Sequence, residues 1–218
     1  MNTDLPLQTG VPGNLRLGDR PLVVSDVDEV VFEFVTPFAS FLKSLGFRLL
    51  PRSFKLFGNI VSEDGIEIGT RQAGELLDEF FMQQSRWQTP ALDAVDTLHA
   101  LSTDYDIVFL TAMKPHHTSF RRAALDLFGL HFPMIATEGP KGHIVRQLHG
   151  ERRLPVVFLD DIDRNLQSVG EEVPSCLLLR MMANEDFRKL APPATDGVRI
   201  VSGWRHAQTL IHAHCAGC

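Results

Sequence analysis

The sequence lacks a long hydrophobic run: no apolar stretch approaches the roughly 18 residues that a membrane span requires, so no membrane partner is expected. Met1 to Gly10 has neither a basic start nor an apolar stretch, so no secretory leader is expected there. Cysteine is scarce. Cys176, Cys215 and Cys218 are too few for a disulfide framework, and the expectation is a soluble, reduced, cytoplasmic protein. Basic charge is also short: 21 Lys and Arg stand against 27 Asp and Glu, a formal net charge of −6, which argues against a nucleic-acid polymer as partner. No internal repeat or low-complexity stretch is evident. What is there is an ordinary globular mix, 44% hydrophobic and 22% charged over 218 residues. That argues against disorder and for one domain, or one domain with a sizeable insert, burying a real core.

Short apolar runs punctuate the chain. Pro21-Leu22-Val23-Val24-Ser25 ends at Asp26, Asp106 to Leu110 ends at Thr111, Pro155 to Leu159 ends at Asp160, and Ser175 to Leu179 ends at Arg180. These read as buried parallel strands. A weaker run covers His131 to Ala136, and Val198 to Val201 can add an edge strand. Helical patterns lie between them. Thr89-Pro90 is a helix-start signal followed by Leu92, Val95 and Leu98 on one face. Phe120, Ala124, Leu127 and Phe128 make a second stripe closed by Gly129. Ile144, Val145 and Leu148, then Leu166 and Val169, make two more. Strands alternating with helices predict an α/β fold with a parallel, Rossmann-like sheet.

The segment 33–88 breaks the alternation. Thr36-Pro37 opens a helix with Phe38, Phe41, Leu42 and Leu45 on one face and Gly46 at its end, and Leu76, Leu77, Phe80 and Phe81 form another stripe. The expected organisation is therefore a core from 1–32 and 89–218 with a small helical cap, 33–88, inserted after the first strand.

Ligands of open parallel sheets bind beyond the carboxyl ends of the strands. Asp26 and Asp28 follow the first strand there, Thr111 the second, and Asp160 and Asp161 the strand near 155, while Lys141 opens the preceding helix. Four carboxylates cannot share a dry site without compensation. A hard divalent cation such as Mg²⁺ relieves them, and Thr111 and Lys141 suit phosphate oxygens. One Asp can act as nucleophile and a second, two residues on, as general acid and then base.

Asp26-Val27-Asp28-Glu29-Val30, Thr111, Lys141 and Asp160-Asp161 resemble, in order and spacing, the four motifs of the haloacid dehalogenase (HAD) superfamily, over about 21–202. The family is mostly Mg²⁺-dependent phosphohydrolases acting through an aspartyl phosphate. The resemblance implies Asp26 as nucleophile and metal ligand, and Asp28 as acid and base with its carbonyl on the metal. It implies Asp160 as metal ligand, Asp161 holding a metal-bound water or Lys141, and Thr111 with Lys141 on the phosphoryl group. The insert matches a C1-type helical cap. Glu29 departs from the pattern, standing where many members have Gly, and Asp163 adds a carboxylate of unassigned role. The stretch from Asp26 to Phe34 with a Phe-rich cap also resembles 5′(3′)-deoxyribonucleotidases, which adds a nucleotide to the candidate small phosphorylated substrates.

Each residue also has a plainer reading. Asp26 and Asp28 fit a strand-end turn, and Asp161, Asp163 and Asn165 fit helix caps. The insert's phenylalanines fit cap core, and Arg52, Lys55, Arg71, Arg86 and Trp87 fit its surface. The His212-to-Cys218 tail carries metal-ligand types but reads as a frayed terminus. A phospho-acceptor signalling module would place its acid pair before the Thr and Lys, whereas Asp160-Asp161 follows both. A non-catalytic binding protein on the same fold is a third reading, against which the intact set of acids argues. A halide-releasing hydrolase of the same superfamily is a further alternative, whose chemistry needs no metal and so has no use for Asp28 and the acid pair.

Overall fold

The computed structural model describes residues 11–216 apart from 12, 14 and 151; the readings of Met1 to Gly10 and of Cys218 lie outside the described residues. The first strand is β1 (Leu22–Ser25). It is followed by α1 (Val35–Ser44), β2 (Phe47–Leu49), β3 (Ile60–Ser62), α2 (Thr70–Met82) and α3 (Gln84–Trp87). Alternation then resumes with α4 (Ala94–Leu101), β4 (Asp106–Ala112), a 3-10 turn at Pro115–His117, α5 (Thr118–Leu127) and β5 (Met134–Thr137). The chain finishes with α6 (Lys141–His149), β6 (Val156–Asp160), α7 (Asp163–Glu172), β7 (Leu177–Arg180), α8 (Glu185–Leu190), β8 (Val198–Ile200) and α9 (Trp204–Ala216).

Six strands form one parallel sheet in the order β5-β4-β1-β6-β7-β8. Side chains alternate across a strand, so each strand feeds two cores. Val23, Ile107, Phe109, Val157 and Leu159 pack on one face with Leu98, Leu125, Trp204 and Ile211. Leu22, Val24, Val108, Leu110 and Phe158 pack on the other with Ile144, Val145, Leu166 and Val169. This two-sided burial is why the strands read as continuous apolar runs. β1 is central, between β4 and β6, so their carboxyl ends are neighbours.

Between β1 and α4 the chain builds its own apolar cluster from Phe38, Phe41, Leu42, Ile60 and Phe80, joined by Met113 from beyond β4. The expectation of purely helical structure here is corrected. β2 and β3 form a short antiparallel pair, whose three-residue strands are too brief to leave a readable alternation.

Four other local expectations shift. Thr36 is not a cap: α1 starts at Val35, and the Glu29 carboxylate accepts the Phe34 and Val35 N–H groups instead. Thr89-Pro90 does not open a helix; Phe32 bridges to Pro90 and α4 begins at Ala94, leaving Leu92 exposed. On α5 the buried face is Arg121, Ala124 and Leu125, while Phe120 and Leu127 are exposed. The tail to Ala216 is helical rather than frayed, with His212 Nδ1 2.9 Å from the Tyr105 hydroxyl.

α6 and α7 meet at Gly142. A Cβ there would stand 2.1 Å from the Ser168 carbonyl oxygen, a backbone atom that cannot rotate away. Gly142→Ala is expected to cost about 3 kcal/mol in chemical denaturation, because the two helices must separate. It is also expected to displace Lys141, one residue earlier.

Candidate active site

The acids converge where β1 and β6 end. Asp26 N donates to the Leu159 carbonyl at 2.8 Å, which fixes the first acid beside the last residues of β6. Asp160 is fully buried, Asp26 is 6% exposed, and one carboxylate oxygen each of Asp26, Asp160 and Asp161 lie within 4.8 Å of one another. Lys141, at the start of α6, is 1% exposed and donates to Asp26 Oδ1 at 2.6 Å and to Asp160 Oδ2 at 2.7 Å. The lysine is therefore held by Asp26 and Asp160; of the two roles the resemblance implied for Asp161, a metal-bound water or Lys141, the contact with Lys141 is made by Asp160 instead. Asn165 Nδ2 and the Ile162 N–H also donate to Asp160, locking its rotamer.

One ammonium does not offset three buried carboxylates. Burial pushes Asp26 up to about 7, with Lys141 opposing and the Asp160 and Asp28 charges adding to the rise. Burial likewise raises Asp161 well above the ordinary carboxylate range, reinforced by Asp160 and Asp26. Burial pulls the Lys141 ammonium down, but Asp160 and Asp26 overcome it and hold it protonated. A cluster of hard oxygens with excess negative charge fits a hard divalent cation, for which Asp26, Asp160 and Asp161 are the available side-chain ligands.

Asp28 stands apart from that trio. Its carboxylate accepts from Arg121 Nη2, at 2.8 Å to Oδ1 and 2.7 Å to Oδ2, and from Gln88 Nε2 at 2.8 Å. Neither Arg121 nor Gln88 stood out in the sequence. Thr111 pairs with Ala136 inside the sheet; it is fully buried and its hydroxyl has no partner among the described residues, and its neighbour Ala112, not Thr111 itself, lines the adjoining cavity.

Glu29 explains its own departure from glycine. Its φ is 62°, a conformation that glycine adopts at least cost. Its carboxylate accepts from the N–H groups of Phe34 (2.9 Å), Val35 (2.6 Å) and Asn184 (2.7 Å), tying the exit from β1 to the start of α1 and to the loop after β7. Asp163 faces away from the acids and holds the Thr195 backbone and hydroxyl, with Arg180 3.6 Å off.

A cavity of about 740 Å³ opens on this cluster. Asp26, Asp28, Lys141 and Asp161 form its floor, Phe34, Leu77 and Phe81 its apolar wall, and Glu138, Arg164 and Glu171 its rim. Arg52, Lys55, Arg71, Arg86 and Trp87 do not line it; Trp87 packs edge-on against Phe41. His117 is buried beside Phe81 and lies 3.1 Å from Asp78, and Lys114 reaches both Asp78 oxygens at 2.7 and 2.9 Å. Those contacts join α2 to the segment after β4, outside the acid cluster.

No protein-family model matches the chain, and no curated protein sequence matches it. Solved structures do resemble it. The HAD-hydrolase YfnB of Bacillus subtilis, solved bound to magnesium, superposes with a TM-score of 0.61 at 11% identity, over 88% of this chain and 98% of that one. A Haemophilus somnus protein described as a predicted phosphoglycolate phosphatase gives 0.55 at 14% identity, over 90% and 100%. An L-2-haloacid dehalogenase gives 0.57 at 13% identity, over 89% and 99%. Phosphatase and dehalogenase descriptions thus share one architecture, and the site rather than the fold must carry the chemistry. By its six-stranded parallel sheet and these superpositions, the chain has the haloacid dehalogenase-like hydrolase fold.

Proposed function

We propose that the protein is a divalent-metal-dependent phosphomonoester hydrolase acting on a small phosphorylated metabolite through a phosphoryl group carried on Asp26. The observation that supports this most is the buried group of Asp26, Asp160 and Asp161, with Lys141 bridging Asp26 and Asp160, of which Asp26, Asp161 and Lys141 line the cavity. Halide displacement needs no such cluster, whereas phosphoryl transfer depends on positioning and charge neutralisation.

Asp26 attacks phosphorus through a carboxylate oxygen. The bond to the ester oxygen breaks, its electron pair goes to that oxygen, and Asp28 supplies the proton that makes it an alcohol. Asp28, now a carboxylate, takes a proton from water; the oxygen of that water attacks phosphorus and the bond to Asp26 breaks. Phosphate and the starting carboxylate result, and the proton count closes on Asp28. Lys141 and Thr111 bind phosphoryl oxygens, and Thr111's unpartnered hydroxyl suits that use. Bound among Asp26, Asp160 and Asp161, with the Asp28 carbonyl as a further ligand, Mg²⁺ would supply positive charge to the phosphoryl oxygens. The cavity's volume suits a metabolite rather than a polymer. Its aromatic wall is Phe34 and Phe81, so a nucleotide would stack there and not on Trp87.

Phosphate release across a panel of sugar phosphates, nucleotides and phosphorylated acids, with Mg²⁺ and with chelator, tests the proposal. Release that requires the metal is the expected result; metal-independent halide release from 2-haloacids with no phosphate release would contradict it.

A second readout does not need a substrate. Folded-state values for Asp26 and Asp161 lie above the unfolded ones, so the folded protein holds protons more tightly. The Asp26 contribution is present at low pH and is lost as pH rises from about 4 to about 7 in metal-free buffer, and Asp161 acts in the same direction. A cation requires the deprotonated carboxylates. Saturating Mg²⁺ is therefore expected to raise Tm by roughly 5–10 °C near pH 8 and by much less near pH 5. Calorimetry at the two pH values checks this. Asp160→Asn is expected to remove most of the gain.

A further inference from the structure

Arg121 is out of place for a structural residue. It is fully buried on α5, and its Nε and Nη1 have no hydrogen-bond partner among the described residues. Burying a guanidinium with two unpaired nitrogens is costly, and an apolar side chain of similar volume would fill the space at less expense. Its one polar contact among the described residues is Asp28, with Nη2 2.8 Å from Oδ1 and 2.7 Å from Oδ2. The guanidinium also lies over the Phe81 ring, 5.5 Å from its centroid, and Phe81 lines the cavity.

The second donor to Asp28 comes from the other side. Gln88, 2% exposed and directly after α3, donates to Asp28 Oδ1 at 2.8 Å and to the Glu33 carbonyl at 3.1 Å. Glu33 N in turn donates to the Thr89 carbonyl at 2.9 Å. Gln88 thus bonds across the two chain segments that enter and leave the insert. Oδ1 of Asp28 accepts two donors, whereas Oδ2 accepts one and keeps capacity toward the cavity that Asp28 lines.

We propose that Arg121 is the positioning residue for Asp28: its Nη2 spans both carboxylate oxygens while Gln88 holds Oδ1, and together they fix the carboxyl plane so that the remaining capacity of Oδ2 faces the ester oxygen of the bound substrate. The inference rests on the phosphomonoesterase reading. In that reaction the proton on Asp28 Oδ2 passes to the ester oxygen as the phosphorus–oxygen bond breaks and its electron pair moves to that oxygen. Oδ1 keeps both pinning contacts throughout. Arg121 is not placed against the substrate; through Nη2, which contacts both Asp28 oxygens, it acts on the aim of Asp28.

The test separates aim from structure by the leaving group. p-Nitrophenolate departs without a proton, whereas an alkoxide does not. Values of kcat/KM, which end at the first irreversible bond cleavage, are measured with Mg²⁺ for p-nitrophenyl phosphate and for an alkyl phosphate that the enzyme accepts. The proteins are wild type, Asp26→Asn, Asp28→Asn, Arg121→Met and Arg121→Lys. Arg121→Met is expected to lose about 100-fold on the alkyl ester and under about tenfold on the aryl ester, following the pattern of Asp28→Asn. Arg121→Lys, which keeps a charge but not the fork, is expected to recover part of the difference. Equal losses on both esters, or no loss, in Arg121→Met would overturn the positioning role while leaving the hydrolase reading intact. Should Arg121→Met fail to fold, Arg121→Lys decides by the same criterion, selective loss supporting the role and uniform or absent loss overturning it. Wild type and Asp26→Asn equally inactive on both esters would instead remove the hydrolase reading, and this inference with it.

Discussion

Asp26→Asn is expected to lower kcat for phosphate release on the order of 10⁴- to 10⁶-fold without loss of the fold. The carboxamide has the carboxylate's shape, so the contacts around it survive, but its nitrogen and carbonyl oxygen are poor nucleophiles toward phosphorus. Stability is not expected to fall in metal-free buffer. Lys141 keeps its 2.7 Å bond to Asp160, and the site loses one of three crowded carboxylates. Melting curves beside initial rates check both halves. A variant that turns over normally would remove Asp26 from the role of nucleophile.

Lys141→Met carries the largest combined effect on stability and rate. The side chain is 1% exposed and spans Asp26 and Asp160 at 2.6 and 2.7 Å, so the variant leaves both carboxylates without their counter-charge. Removing one partner of a buried ion pair costs roughly 3–5 kcal/mol, because the charge left behind stays desolvated. Loss of the ammonium from the phosphoryl site should cost a further 10²- to 10³-fold, roughly, in kcat. The two losses respond differently to metal. Mg²⁺ is expected to restore much of the stability, since it neutralises the same carboxylates, but not the rate. Denaturant titrations with metal and with chelator, run beside kinetics, distinguish them. A variant as stable as wild type in chelator would show that Lys141 is not the counter-charge of this cluster.

The parts of the site that the sequence reveals are those set by local order along the chain. Apolar runs ending in Asp26, Thr111 and Asp160 are legible because a strand buried on both faces leaves a continuous hydrophobic signature and its end must become polar. Lys141 is legible because it opens the helix before β6. The assignment of its partner is not, since Asp160 and Asp161 are adjacent, and only the packing of β6 decides which one faces inward. Arg121 and Gln88 escape notice for a different reason. On α5 the spacing that joins Phe120 to Ala124 and Leu127 competes with the spacing that joins Arg121 to Ala124 and Leu125. Hydrophobicity favours the first, and the buried face is the second. An arginine on a helix reads as solvated until its partner, 93 positions earlier, is placed beside it. Glu29 shows the converse. Its departure from glycine looks like a defect in the motif, yet three backbone N–H bonds to its carboxylate anchor the strained turn.

The most direct measurement is to look for the phosphoryl group on Asp26. Asp28→Asn is the background of choice: p-nitrophenyl phosphate needs no acid to react, and without the base the second step stalls. After brief reaction with Mg²⁺, acid quench and digestion, mass spectrometry of the peptide spanning Asp26 should show one added phosphoryl group. That group should be released by hydroxylamine, as acyl phosphates are. An unmodified Asp26 peptide after a stoichiometric burst of p-nitrophenol, or the phosphoryl group on another residue, would contradict the account.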